Sequence, residues 1–128
     1  MKNIVVFYDK EQINDLELLI NSPNKLFTNL KSMTSLNLEL FGLKELTKNI
    51  FANNFEMIQC LSINRYQEDT LPENIFMNTP NITELHITHN NLKSLPSHIF
   101  ENLKFLQILD LSCNKLKIMS MSVLALVY

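Results

Sequence analysis

The chain repeats itself every 24 residues, and that period decides what it can fold into. Leu61, Leu85 and Leu109 stand 24 apart, as do Ile63, Ile87 and Leu111. Ile75, Ile99 and Val123 keep the same step, and so do Phe76, Phe100 and Leu124. Shifting back by 25 from the first members lands on Leu36, Leu38, Ile50 and Phe51. Phe27, Leu30, Met33 and Leu36 are spaced like Phe100, Leu103, Leu106 and Leu109. Self-similarity of this length marks arrays whose units cannot bury an apolar face alone and therefore stack on their neighbours. An amphipathic helix is the alternative for a leucine stripe, but the long period and the recurrence of Pro72 and Pro96 oppose it.

The unit is clearest in LQILDLSCNKLKIM, Leu106 to Met119, and in ITELHITHNNLKSLPSHIF, Ile82 to Phe100. Both follow L-x-x-L-x-L-x-x-N-x-L-x-x-L, the leucine-rich repeat pattern. In its L-x-L core, alternate residues point inward and their neighbours outward, as a short strand requires. Asn90 and Asn114 follow their strands, where an amide side chain can satisfy backbone groups that the turning chain leaves unpaired. Pro72 and Pro96 mark the return, and Phe51, Phe76 and Phe100 fill the wider outer core. The expected fold is therefore α/β: a leucine-rich-repeat solenoid, a horseshoe arc of about five turns. Parallel strands line its concave face, with irregular or short helical segments on the convex one. Residues 25–128 carry the repeats.

Residues 1–24 are an irregular N-terminal segment or a degenerate first turn. Either Ile4 and Val6 form an extra strand, or Asp9 to Ile20 form a helix capped by Asp9 with Ile13, Leu16 and Ile20 on one face. The third turn also departs from the pattern. Tyr66 replaces the ladder asparagine and Glu68 a buried leucine. Because burying a bare carboxylate costs several kcal/mol, the segment 64–70 is expected to bulge outward as a loop, with Tyr66, Gln67, Glu68 and Asp69 at its centre. Phe41 replaces the second turn's asparagine, where simple packing is expected.

The totals exclude several functions. One glycine in 128 residues argues against phosphate-cradling loops, and a net charge of −2 argues against nucleic acid. Cys60 and Cys113 fall in different columns of the repeat and read as free thiols. The apolar run from Ile4 to Tyr8 is short for a signal peptide, and Ile118 to Tyr128 is about half a membrane span. No membrane contact by this segment is expected. The uncapped apolar end from Val123 to Tyr128 suggests self-association, or a piece of a longer array.

Outward positions of the concave sheet line up one strand apart, close to 4.8 Å. The columns are Asn37, Ser62, His86, Asp110, then Leu40, Arg65, His89, Cys113, and Ser35, Cys60, Glu84, Ile108. Ser62, His86 and Asp110 resemble a hydrolase triad, but parallel side chains on a flat sheet without an oxyanion-forming turn do not make an enzyme. His89 beside Cys113 offers two zinc ligands of the usual four, and Glu84 and His86 would join only by converging from other columns. No cofactor or metal is expected. The favoured reading is a partner-binding surface of Asn64, Arg65, Glu84, His86, Thr88, His89, Asp110 and Ser112, whose histidines would make binding pH-sensitive beside partner carboxylates. Asn81-Ile82-Thr83 is an N-glycosylation sequon with Asn81 pointing outward.

LPENIF (Leu71 to Phe76) and LPSHIF (Leu95 to Phe100) precede or join a shared x-N-L-x-x-L element. That element appears as Glu101-Asn102-Leu103-Lys104-Phe105-Leu106 and as Thr28-Asn29-Leu30-Lys31-Ser32-Met33. Together they resemble the extracellular repeats of Toll and Toll-like receptors, with an insect Toll flavour, over roughly residues 25 to 128. The resemblance implies part of a cell-surface ectodomain in innate immunity or development that recognises a cytokine-like or microbial ligand. For Toll itself that ligand is the cystine-knot cytokine Spätzle. The sequence lacks the receptor's signal peptide, cysteine-bounded caps, membrane span and intracellular TIR domain. An intracellular, cytoplasmic repeat adaptor is the alternative.

Overall fold

The computed structural model describes residues 5–8, 11–13, 34–40, 46, 50–51 and 55–117. Four strands fall where the period places them: β3 (Ser35–Glu39), β4 (Cys60–Asn64), β5 (Glu84–Thr88) and β6 (Ile108–Asp110). They pair in parallel, and repeat-equivalent residues face each other, with Leu36 beside Leu61, Leu61 beside Leu85 and Leu85 beside Leu109. Each new turn is also hooked onto the last just before its strand. The Gln59 carbonyl accepts from the N–H groups of Thr83 and Glu84, and the Thr83 carbonyl accepts from those of Gln107 and Ile108.

Burial alternates along β3, β4 and β5 as the L-x-L core demands. Leu36, Leu38, Leu61, Ile63, Leu85 and Ile87 are buried on the inner side. Behind them runs a file of phenyl rings. Phe51 stacks on Phe76 at 6.5 Å and Phe76 on Phe100 at 6.0 Å, while Phe55 meets Phe51 edge-on at 5.0 Å. Such offset and edge contacts add to area burial because the ring quadrupoles are complementary.

The return path of each turn is irregular, as expected, but no described residue there is helical. It is a succession of tight turns instead. Ile75 N–H donates to the Pro72 carbonyl and Met77 N–H to Asn74; the next turn repeats this with Ile99 to Pro96 and Glu101 to His98. These three-residue spacings are those of a 3₁₀ turn, which fits a path too short for a full helix.

The parallel rule stops at one edge. β1 (Val5–Tyr8) runs antiparallel to β3, and β2 (Glu11–Ile13) runs antiparallel to β1, giving the sheet order β2-β1-β3-β4-β5-β6. The strand alternative for the N-terminal residues therefore holds, and a helix from Asp9 to Ile20 does not, since Glu11–Ile13 is extended and paired. The β-branched and aromatic residues of β1, Val5, Val6, Phe7 and Tyr8, suit a pleated strand better than a helix. The boundary at 24 and 25 lies outside the described residues, as do Phe27, Leu30, Met33, Phe41 and the apolar residues after Lys117.

Asparagine ladders close the turns. Asn90 Nδ2 donates to the carbonyls of Ile63 at 2.9 Å and Thr88 at 3.0 Å, and its Oδ1 accepts from Tyr66 N–H at 2.7 Å. Asn114 does the same one turn on, donating to the Ile87, Leu111 and Ser112 carbonyls and accepting from Leu92 N–H. The residue before each ladder position sits in the left-handed region: Arg65 at φ 62°, His89 at 55° and Cys113 at 59°. None is glycine, so each turn carries local strain of roughly 1–2 kcal/mol. Replacing His89 by glycine is expected to stabilise the fold by about 0.5–1 kcal/mol after glycine's entropy is counted. Urea unfolding reads this as a higher midpoint; a lower one would mean that imidazole contacts outweigh the strain.

Candidate functional site on the concave sheet

The outward columns form as the repeat requires. Asn37, Ser62, His86 and Asp110 lie side by side across β3 to β6, and Ser35, Cys60, Glu84 and Ile108 form the neighbouring row. Arg65, His89 and Cys113 form a third row at the left-handed corner. Leu40 does not join them. It is fully buried and continues the inward alternation of Leu36 and Leu38, and unlike Arg65, His89 and Cys113 it does not take the left-handed conformation.

Polar side chains on this face are tied to one another. Thr88 Oγ1 donates to Asn64 Oδ1 at 2.9 Å, and Asn64 Nδ2 donates to Asn37 Oδ1 at 2.8 Å. Arg65 pairs with Glu39 at 3.2 Å, a partly exposed bridge worth little by itself. His86 stands between two carboxylates, with Nε2 3.6 Å from Glu84 and Nδ1 3.8 Å from Asp110. Asp110 Oδ1 accepts from Ser112 N–H at 2.9 Å. Hydrogen bonds from Ser112, its backbone N–H first, hold the Asp110 carboxyl below its ordinary value, with His86 adding to the effect.

Glu84 also reaches Cys60, whose Sγ lies 3.9 Å from Oε2. Burial, and then the neighbouring Glu84 carboxylate, push the Cys60 thiol up from its ordinary value. Both described cysteines are free, Cys60 half-buried and Cys113 exposed. Ligand atoms of Cys60, Glu84 and His86 lie within 4.8 Å of one another. Sequence reasoning put Cys60 and Glu84 in one row but passed over their joining His86. Two facts held the clue: Cys60 lies directly opposite Glu84, and His86 lies two residues further along the same face. The pair His89 and Cys113 gains no third ligand among the described residues.

The apparent triad does not assemble. Ser62 and His86 are neighbours, yet the second imidazole nitrogen faces Glu84, and no hydrogen bond joins Ser62 to His86.

The third turn resolves differently from the expected loop. Tyr66 does not project outward; it is 3% exposed and joins the core. Its hydroxyl accepts from Leu46 N–H at 3.2 Å, so a phenol reaches a backbone group across the turn. Gln67, Glu68 and Asp69 are exposed, which keeps the Glu68 carboxylate in water, and Asp69 pairs with Lys93 at 3.8 Å. Asn81 is exposed, with one amide hydrogen given to the Glu56 carbonyl. Its second amide hydrogen remains for a glycan to replace. Ile108, 46% exposed, points outward as its row requires, and Phe105, 61% exposed, is an apolar side chain outside the rows.

No helix among the described residues is long and apolar enough to cross a membrane. A family model described as leucine rich repeat matches residues 80–126. No curated protein matches the chain. Among solved structures, the chain is similar to the leucine-rich repeat domain of APL1B, at 28% identity and a TM-score of 0.67. That match covers 83% of this chain but 31% of the other, so the chain spans about a third of that structure's length. Register, ladder and comparisons agree: this chain is folded as a leucine-rich-repeat solenoid.

Proposed function

We propose that the chain is a non-catalytic protein-recognition scaffold that binds its partner on the concave sheet. The supporting observation is the strip of Asn64, Arg65, Glu84, His86, Thr88, His89, Asp110 and Ser112. It is polar, half-exposed or exposed, and carried on hydrogen-bonded parallel strands and on the corners that directly follow them. A rigid sheet presents its side chains with little ordering cost on binding, which favours a protein partner of fixed shape. In this reading the chain is part of a Toll-type receptor ectodomain at the cell surface, and its ligand is cytokine-like, of the Spätzle cystine-knot type, or microbial. Asn81 then carries a glycan.

The test is direct binding of a recombinant Spätzle-type cytokine to the protein at its native length. Binding that falls at least tenfold in a His86→Ala, Asp110→Ala double variant, but holds in Asn74→Ala on the convex side, supports the reading. Binding that ignores the concave variants would move the site elsewhere. Absence of binding would remove the receptor assignment. The free thiols of Cys60 and Cys113 favour the second reading, an adaptor in a reducing cytoplasm. Under that reading the native protein bears no glycan on Asn81.

A further inference from the structure

We infer that the concave sheet carries a zinc site made by Cys60, Glu84 and His86. The backbone creates it. Side chains two apart on a strand share a face, and a residue directly opposite on the next strand lies closer still. Glu84 and His86 are the two-apart pair on β5, and Cys60 is opposite Glu84 on β4. Three donors thus close a triangle with no loop involved.

The distances suit a tetrahedral ion. Bonds of 2.0–2.3 Å from zinc to oxygen, nitrogen and sulfur put neighbouring donors about 3.3–3.6 Å apart. Here Glu84 Oε2 is 3.6 Å from His86 Nε2 and 3.9 Å from Cys60 Sγ. All three donor atoms fall within 4.8 Å, so small rotamer adjustments close the site. The Glu84 and His86 side chains are 44% and 30% exposed, which leaves an entry path and room for water in the fourth position.

Donor chemistry selects the ion. A thiolate and an imidazole favour a borderline-soft metal over magnesium or calcium, and one carboxylate is tolerated by zinc. On binding, the metal–sulfur bond forms as the Cys60 thiol releases its proton to solvent. The thiolate and the Glu84 carboxylate then neutralise the two positive charges of the ion, while His86 binds as neutral imidazole. Asp110 completes the arrangement from behind. It lies 3.8 Å from Nδ1, the nitrogen left over when Nε2 binds metal, and Ser112 N–H fixes its other oxygen. A carboxylate in that place orients a ligating histidine and raises its basicity.

Cobalt(II) and zinc(II) titrations of the full chain test the site. Cobalt is expected to bind one to one, with a thiolate charge-transfer band and the intense visible bands of four-coordinate cobalt, and zinc should displace it. Cys60→Ser should abolish the charge-transfer band, whereas Cys113→Ser should keep it. His86→Ala and Glu84→Gln should each weaken binding at least tenfold. Asp110→Asn should weaken it by about 10- to 100-fold while leaving the band's position unchanged. Loss of the band in Cys113→Ser but not in Cys60→Ser would overturn the proposal. So would the absence of stoichiometric binding in the unsubstituted protein.

Discussion

Phe76→Ala should cost about 3–5 kcal/mol, the usual range for deleting a buried phenyl ring. Phe76 is the middle ring of the file and touches Phe51 on one side and Phe100 on the other. Its removal therefore opens a void shared by three turns. Repeat arrays draw their stability from nearest-neighbour interfaces, and this substitution weakens two of them at once. A loss of this size is a large fraction of the 5–15 kcal/mol typical of a folded domain. Guanidinium unfolding should show a much lower midpoint, and Phe76→Leu, which refills part of the volume, should recover more than half of the loss. A change below 1 kcal/mol would mean that neighbouring turns collapse into the gap, so that the ring file is not what holds them.

Asn90→Ala is expected to cost about 2–4 kcal/mol through polar groups left without partners. The side chain serves the Ile63 and Thr88 carbonyls and the Tyr66 N–H together. Alanine removes all three bonds in a corner already bent into the left-handed region at His89. The neighbouring Asn91 makes one exposed bond to the Gln67 carbonyl, so Asn91→Ala should stay within about 0.5 kcal/mol. Amide hydrogen exchange localises the effect: Tyr66 N–H should lose protection in Asn90→Ala and keep it in Asn91→Ala. Equal protection in both variants would show that water replaces the amide at no cost.

How much of this was legible beforehand follows from which residues repeat. The register of β3 to β6 was readable because matches at steps of 25, 24 and 24 fix which leucines stack, and a one-residue slip would turn every one of them outward. The outward rows followed from the same counting. The antiparallel hairpin of β1 and β2 was not readable as such. It has no equivalent in the repeat, and Ile13, Leu16 and Ile20 fit a helical face as well as a strand.

Tyr66 was misplaced because the pattern names the atom types a ladder position needs, not how far a side chain can reach. A phenol carries its oxygen well beyond an asparagine's, to Leu46 N–H, and its ring is buried on the way. Leu40 was misplaced by the opposite error, for the counting assumed that it turns into the left-handed region as Arg65 and His89 do. The cluster of Cys60, Glu84 and His86 needed both dimensions of the sheet, since no single column contains it.

The phenyl file also governs a surface it never touches. Its rings are 6.5 and 6.0 Å apart, whereas paired strands are about 4.8 Å apart, so the ring side of each turn is spaced more widely than the strand side. The radius of the arc, and with it the size of object that can nest inside, is thus written into the width of an aromatic ring on the far side. Slimmer side chains at those positions would flatten the inner wall without altering a single residue on it.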